Sequence, residues 1–133
     1  MKKVVLVFFL LSFTYANEYA VIANKKLPPL NPLQIKAIFL KKLTIVHDIS
    51  ILPLNLNARH QTRLAFEKEI LHMSFTRLKN YWSKQHYLGH RPPLSIQSQQ
   101  SVKKFVKKVD GAIGYVDIKF VDKDVNVLYR WSE

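Results

Sequence analysis

Strands alternating with helices predict an α/β domain with a sheet-and-helix layered architecture. Three observations carry that expectation. Short apolar, β-rich runs at 18–24, 51–56, 112–116 and 125–131 are separated by stretches in which apolar residues recur at helical spacing. The helical stretches open on good capping residues, Asn31, Asn57, Ser74 and Ser98. Residues 17–133 contain no repeat, low-complexity tract or linker, so they read as one domain with one modest core.

Residues 18–24 (EYAVIAN) read as a buried first strand, and 25–31, with Pro28 and Pro29, as a loop. Asn31 is placed to cap a helix with Pro32 at its first position. Leu33, Ile35, Ile38, Phe39 and Leu40 follow at roughly helical spacing, and Lys41 and Lys42 suit the negative end of that helix. Residues 43–50 (LTIVHDIS) fit a short hairpin around His47-Asp48. Residues 51–56 (ILPLNL) read as a strand in which Pro53 marks an edge or a strand start. Asn57 is the expected cap of the next helix, whose apolar side carries Leu64, Phe66, Ile70 and Leu71. Ser74 opens a helix through Leu78, Tyr81 and Trp82 towards Tyr87, and 88–93 (LGHRPP) is a loop. Ser98 caps a helix through Val102, Phe105, Val106 and Val109, with lysine pairs on its outer face. A turn at Asp110-Gly111, a buried strand at 112–116, a second turn at 122–124 and a final strand at 125–131 complete the chain.

The N-terminus has the three-part pattern of a secretory signal: Lys2 and Lys3, an apolar run over 4–11, and small residues at Thr14 and Ala16 before Asn17. The run is too short to span a bilayer, which needs about 20 residues. Residues 1–16 are therefore expected to be a signal peptide cleaved after Ala16, with 17–133 exported to the periplasm. There is no cysteine, which excludes disulfides, thiol catalysis, thiolate metal sites and a lipid-anchoring cysteine. Lys and Arg number 21 against 9 Asp and Glu, a formal net charge of +12. That balance favours anionic partners, and equally describes a solvated basic surface.

Several segments, taken in order, resemble the phosphate-type periplasmic substrate-binding proteins of ABC transporters. Ile38-Phe39-Leu40 followed by Lys41 resembles the family's "IFLGK" helix end, and 51–55 the strand that follows it. Arg63 to Phe66 (RLAF) is similar to its "R-x-x-F" helix opening. Tyr81-Trp82, then 89–93 (GHRPP), then 111–116 (GAIGYV) match its "YW", "G-x-x-PP" and "PGAIGY" segments in the same order. The match runs from about Tyr19 to about Val116 and implies a fold. Full-length members have two α/β lobes closing on phosphate, and this chain is about one lobe long, like the short, stand-alone relatives. The implied fold is a single lobe of a type II periplasmic-binding-protein-like design, a mixed sheet of about four to five strands flanked by helices. A lone lobe has half a cleft, unless two chains face each other.

The resemblance also points to a site. The family places small residues, typically a Gly-Ser pair, at the start of the helix after Asn57, where backbone N–H groups gather. Here the stretch is Asn57, Ala58, Arg59, His60, Gln61, Thr62, Arg63. Arg63 matches the family's basic residue and Thr62 offers a hydroxyl, but Arg59 and His60 replace the Gly-Ser pair. Asn57, Arg59, His60, Gln61, Thr62 and Arg63 are thus the candidate ligand residues. Two arginines can grip a phosphate by bidentate bonds, while their bulk blocks approach to the backbone. The competing reading makes Arg59 and Arg63 a solvated i, i+4 face beside Glu67.

No catalytic apparatus is visible. Glu67 and Glu69 are two apart on a helix, no serine sits in a G-x-S-x-G elbow, and three glycines form no phosphate loop. His86 and His90 are separated by a helix end, and no carboxylate near them completes a metal site. The expectation is a non-enzymatic module with no cofactor and no metal. Its expected partners are a small oxyanion such as phosphate and a transporter or envelope protein. The alternative is a protein–protein adaptor of the envelope that has lost ligand binding. A peripheral contact with an anionic membrane through the lysine faces is a third reading. Nucleic acid fits least, because the aromatics fall at helical spacing with core residues and the chain is exported.

Overall fold

The computed structural model describes Val4 and residues 16–133. The expected signal segment therefore lies outside the described residues, apart from Val4 and Ala16. The elements are β1 (Glu18–Ala23), α1 (Pro32–Phe39), β2 (Ile45–Val46), β3 (Ile49–Ser50), β4 (Leu52–Asn55) and α2 (Gln61–Phe66). A wide π turn, Glu67–Leu71, extends α2. Then come α3 (Phe75–Tyr87), β5 (Leu94–Ser95), α4 (Gln99–Lys108), β6 (Ala112–Asp117), a 3₁₀ turn (Ile118–Phe120) and β7 (Asn126–Ser132).

Five strands form one mixed sheet in the order β5-β4-β6-β1-β7. β4 runs parallel to β5 and β6, and β1 is antiparallel to both its neighbours, β6 and β7. The interior position of β1, between β6 and β7, explains its near-continuous apolar sequence, since residues 19–23 are buried on both faces. Alternation along β6 separates the two layers. Tyr115 faces Phe39 of α1 and Phe66 of α2, at ring-centroid distances of 5.8 and 4.1 Å. Gly114 faces α4 on the opposite side, where a Cβ would fall 2.5 Å from Val102 Cγ1. Asn24, just past β1, donates its buried amide to the carbonyls of Val106 (2.9 Å) and Lys107 (3.1 Å), closing the end of α4.

Local chemistry sets most boundaries. Asn31 and Gln34 form a reciprocal capping box at α1, with Pro32 following the cap. The helix ends in a Schellman motif: Lys41 N–H donates to Ile38 C=O (3.0 Å) and Lys42 N–H to Ala37 C=O (2.8 Å). Lys41 is left-handed there, at φ 62°. The expected hairpin at 43–50 is present, and His47 and Asp48 both have positive φ, as a two-residue type I′ turn requires.

Several expectations are corrected. Asn57 does not cap α2: it lies in a turn, accepting from His60 N–H at 2.9 Å, and His60 is the cap. Leu64 and Leu33 are exposed rather than core, because α2 buries Thr62, Ala65 and Phe66, and α1 buries Ile35, Ile38 and Phe39. Of the two readings of Pro53, the strand start fits and the edge does not: Pro53 is the second residue of β4, which lies between β5 and β6. Leu52 N–H bonds Gly111 C=O on the β6 side, so alternation turns the Pro53 nitrogen towards β5. β5 begins opposite Leu54, one residue later, and the missing N–H costs no ladder bond. The short strand β5 and the π turn were not expected from the sequence.

Lysine is poorly suited to the left-handed region that Lys41 occupies. Lys41→Gly should therefore raise stability by about 1 kcal/mol, seen as a higher urea midpoint with an unchanged slope.

Candidate functional site

β4, β5 and β6 are parallel, so their carboxyl ends share one edge of the sheet. In open α/β sheets this edge is where ligands bind. All six candidate residues lie here, Asn57, Arg59 and His60 on the connection from β4 and Gln61, Thr62 and Arg63 in the first turn of α2. The connection is anchored at Leu56, which is fully buried. Its N–H donates to the Tyr115 hydroxyl (3.1 Å), and its C=O accepts from Arg63 Nη1 (2.8 Å). The Tyr115 hydroxyl in turn donates to Asn55 Oδ1 at 2.9 Å. Burial pushes that hydroxyl far above its ordinary pKa, with Leu56 N–H and the Arg63 charge pulling the other way.

The six candidates have different fates. Arg63 turns inward: besides Leu56 it donates Nε–H to Glu67 Oε1 at 2.9 Å, in a pair whose side chains are only 15% and 11% exposed. The pair has the i, i+4 spacing but is largely buried, not solvated. Thr62 is buried, and its hydroxyl lies 3.4 Å from Gln99 Oε1. His60 Nδ1 accepts from Thr62 N–H at 3.1 Å, which places the proton of the neutral ring on Nε2. Asn57, Arg59 and Gln61 are exposed. The two arginines therefore divide the work: Arg63 secures the fold, and Arg59 faces solvent.

Gln99, Asp117 and Tyr19 join this edge without having been singled out from the sequence. Gln99 Oε1 accepts from Asp117 N–H at 2.6 Å as well as from Thr62, so one amide oxygen ties the starts of α2 and α4 to the end of β6. The Tyr19 hydroxyl is pushed up first by burial and then by the Glu133 and Asp117 carboxylates, partly offset by the Asn17 and Gln61 side chains. Two carboxylates thus share the edge with Arg59. A glutamine at the first position of a capped helix carries no motif, so nothing in the sequence marks Gln99.

The histidines are dispersed. His47 sits in the hairpin turn, His72 takes the left-handed position that ends the π turn, and His90 Nδ1 pairs with Gln85 Oε1 at 2.9 Å. Among the described residues no group of three or more His, Asp or Glu is arranged to hold a metal ion.

No protein-family model matches the chain, and no curated protein matches it in sequence. Solved structures do match it. An ABC-type phosphate transport receptor from Vibrio cholerae superimposes with a TM-score of 0.66 at 19% identity, over 85% of this chain and 46% of the receptor. A putative phosphate ABC transporter substrate-binding protein from Clostridium perfringens, solved with bound phosphate, gives 0.67 at 24% identity, over 85% and 44%. PstS from Borrelia burgdorferi gives 0.62 at 13% identity, over 86% and 48%. The chain thus has the fold of one lobe of these substrate-binding proteins, as the ordered segments implied, and spans under half the length of each.

Tyr115→Phe removes the partner of a buried N–H and a buried amide oxygen, and should cost about 1–3 kcal/mol. Because burial raises the folded-state pKa of Tyr115, its contribution is complete below pH 10 and is lost as pH rises beyond that. Urea midpoints followed above pH 10 should fall less steeply in Tyr115→Phe than in the parent.

Proposed function

We propose that this chain is an exported, non-enzymatic, solute-binding-protein-like module that presents half of a small-oxyanion site at residues 57–63. The supporting observation is the correspondence of fold with a receptor solved with bound phosphate, together with the position of the candidate residues at the carboxyl ends of the parallel strands. Arg59 is the anion's ionic contact, with Asn57 and Gln61 as exposed polar neighbours. His60, Thr62 and Arg63 shape the loop rather than grip the ligand, since each already has an internal partner. Half a site dehydrates its ligand incompletely, and Asp117 and Glu133 oppose an anion, so the isolated lobe binds weakly. A facing surface outside residues 17–133, whether a further lobe, a second copy, or a transporter or envelope protein, supplies the other half. Residues 1–16 are a signal peptide removed after Ala16, leaving 17–133 as a single domain in the periplasm.

An adaptor that has lost ligand binding is the second reading. It is favoured by Gln99 Oε1, which accepts from the Thr62 hydroxyl and the Asp117 N–H and so engages donors that an anion would need.

Calorimetric titration with phosphate at low salt separates the two. A dissociation constant of about 1 mM or weaker is expected, with Arg59→Ala weakening it about three- to tenfold. Gln99→Ala, which frees two donors, should tighten it. Absence of heat in both the parent and Gln99→Ala would overturn the oxyanion reading, and sedimentation for self-association and pull-down from an envelope extract would then test the adaptor. Separately, N-terminal sequencing of the exported protein should begin at Asn17, and an intact Lys2-Lys3 end would refute cleavage.

A further inference from the structure

The positive charge is not spread evenly. From residue 70 to residue 109 there is no Asp or Glu, while Arg77, Lys79, Lys84 and Arg91 cluster on or just after α3. Among the described residues the ion pairs are Lys26–Asp110, Arg63–Glu67, Lys103–Asp122, Lys107–Asp124 and Arg130–Glu18. The outer lysines of α4 are therefore partly neutralised by the 122–124 turn, whereas none of these pairs involves a cation of α3.

α3 is also weakly buried. Of its thirteen residues only Leu78 is fully inside, with Tyr81, Trp82 and Gln85 half-buried around it. Large apolar groups remain in water along its rim: Phe75 is 67% exposed, Tyr87 90% and the following Leu88 61%. Two open grooves flank the helix. One, of about 450 Å³, is lined by Lys79, Trp82, His86, Tyr87 and Pro92. The other, of about 370 Å³, lies between α3 and α1 and gathers Lys36, Lys42, Arg77 and Lys84 beside Tyr81, with no acidic residue in its lining. The end of α3 leads through 88–93 into the start of β5. The aromatic tail is thus at the amino ends of the parallel strands, opposite the edge that carries residues 57–63.

We infer that α3 and the segment that follows it dock this protein on an anionic phospholipid surface. The cations meet lipid phosphates, while Trp82, Tyr87 and Leu88 seat at the headgroup–acyl boundary. Cations beside exposed aromatic and aliphatic side chains, with no intervening acid, are the chemistry such an interface selects. A nucleic acid would also attract the charges and stack on the aromatic rings, but it offers no apolar phase to cover the aliphatic Leu88.

The test is flotation of the purified protein with phosphatidylglycerol–phosphatidylcholine vesicles against phosphatidylcholine alone. Binding should require phosphatidylglycerol and weaken about tenfold or more between 50 and 300 mM salt. Trp131 is already buried, so a blue shift of tryptophan emission on binding reports Trp82. Arg77→Glu/Lys84→Glu should weaken binding about tenfold or more. Tyr87→Ala/Leu88→Ala should weaken it and diminish the blue shift. Lys104→Glu/Lys108→Glu, exposed charges on α4, should change it less than about twofold. All three double variants alter exposed side chains, so circular dichroism should show the parent's fold. Lack of association at 50 mM salt would overturn the inference. So would equal loss in the α4 variant, or tighter binding to a single-stranded oligonucleotide than to the vesicles, which would assign the face to nucleic acid.

Discussion

The backbone of Leu56 is held from both sides, and the edge of the sheet is organised around that clamp. Its N–H is taken by a hydroxyl rooted in the core and its C=O by a guanidinium rooted in the next helix. A buried peptide group has to be paired, and β4 ends at Asn55, so no strand ladder serves Leu56. Tyr115 and Arg63 supply what the sheet cannot. Tyr115 does so from a ring stacked on Phe66 at 4.1 Å, which couples the clamp to the aromatic centre of the molecule. Arg63 does so while paired with Glu67, the first residue of the π turn. A buried arginine–carboxylate pair gains little net stability but is costly to break, so it fixes geometry more than it adds energy.

That geometry decides which charges remain for a partner. Arg63 commits its Nε–H to Glu67 and one Nη1–H to the Leu56 carbonyl, and turning it outward would strand Glu67 in a largely buried position. Of the two arginines in the 57–63 stretch, Arg63 is thus held by the fold. Arg59, Asn57 and Gln61 remain outside, opposed by the carboxylates of Asp117 and Glu133 near Tyr19. The carboxyl edge of the sheet therefore presents one exposed arginine beside two carboxylates.

Much of this fold was legible in the sequence because local chemistry wrote it there. Asn31-Pro32, Ser74 and Ser98 mark helix starts by side-chain capping, and each is a cap in the structure. The hairpin at His47-Asp48 and the buried β1 were equally readable. What failed depended on tertiary context. Asn57 is as good a cap as Asn31, yet the clamp at Leu56 draws the chain into a turn first and leaves His60 at the cap position. β5 is two residues long and exists only because β4 lies beside it. Lys41 shows a resemblance that sequence could point to and only backbone angles could explain. The family's glycine matches a left-handed position, which this chain fills with lysine.

The distribution of charge separates two surfaces that net charge alone would merge. On α4 the lysines are spaced for a basic face, but Asp122 and Asp124 reach two of them, and the 122–124 turn holds its own shape through Asp122 Oδ1 accepting Asp124 N–H at 2.8 Å. That side is partly neutralised, with Lys104 and Lys108 outside the ion pairs of the described residues. The α1–α3 side has cations and exposed aromatics with no acid among them, at the end of the lobe away from residues 57–63. Electrostatic attraction to an anionic surface therefore has a preferred orientation. Docking through α3 would turn the carboxyl edge of the sheet, with Arg59 and its neighbours, outward into solvent.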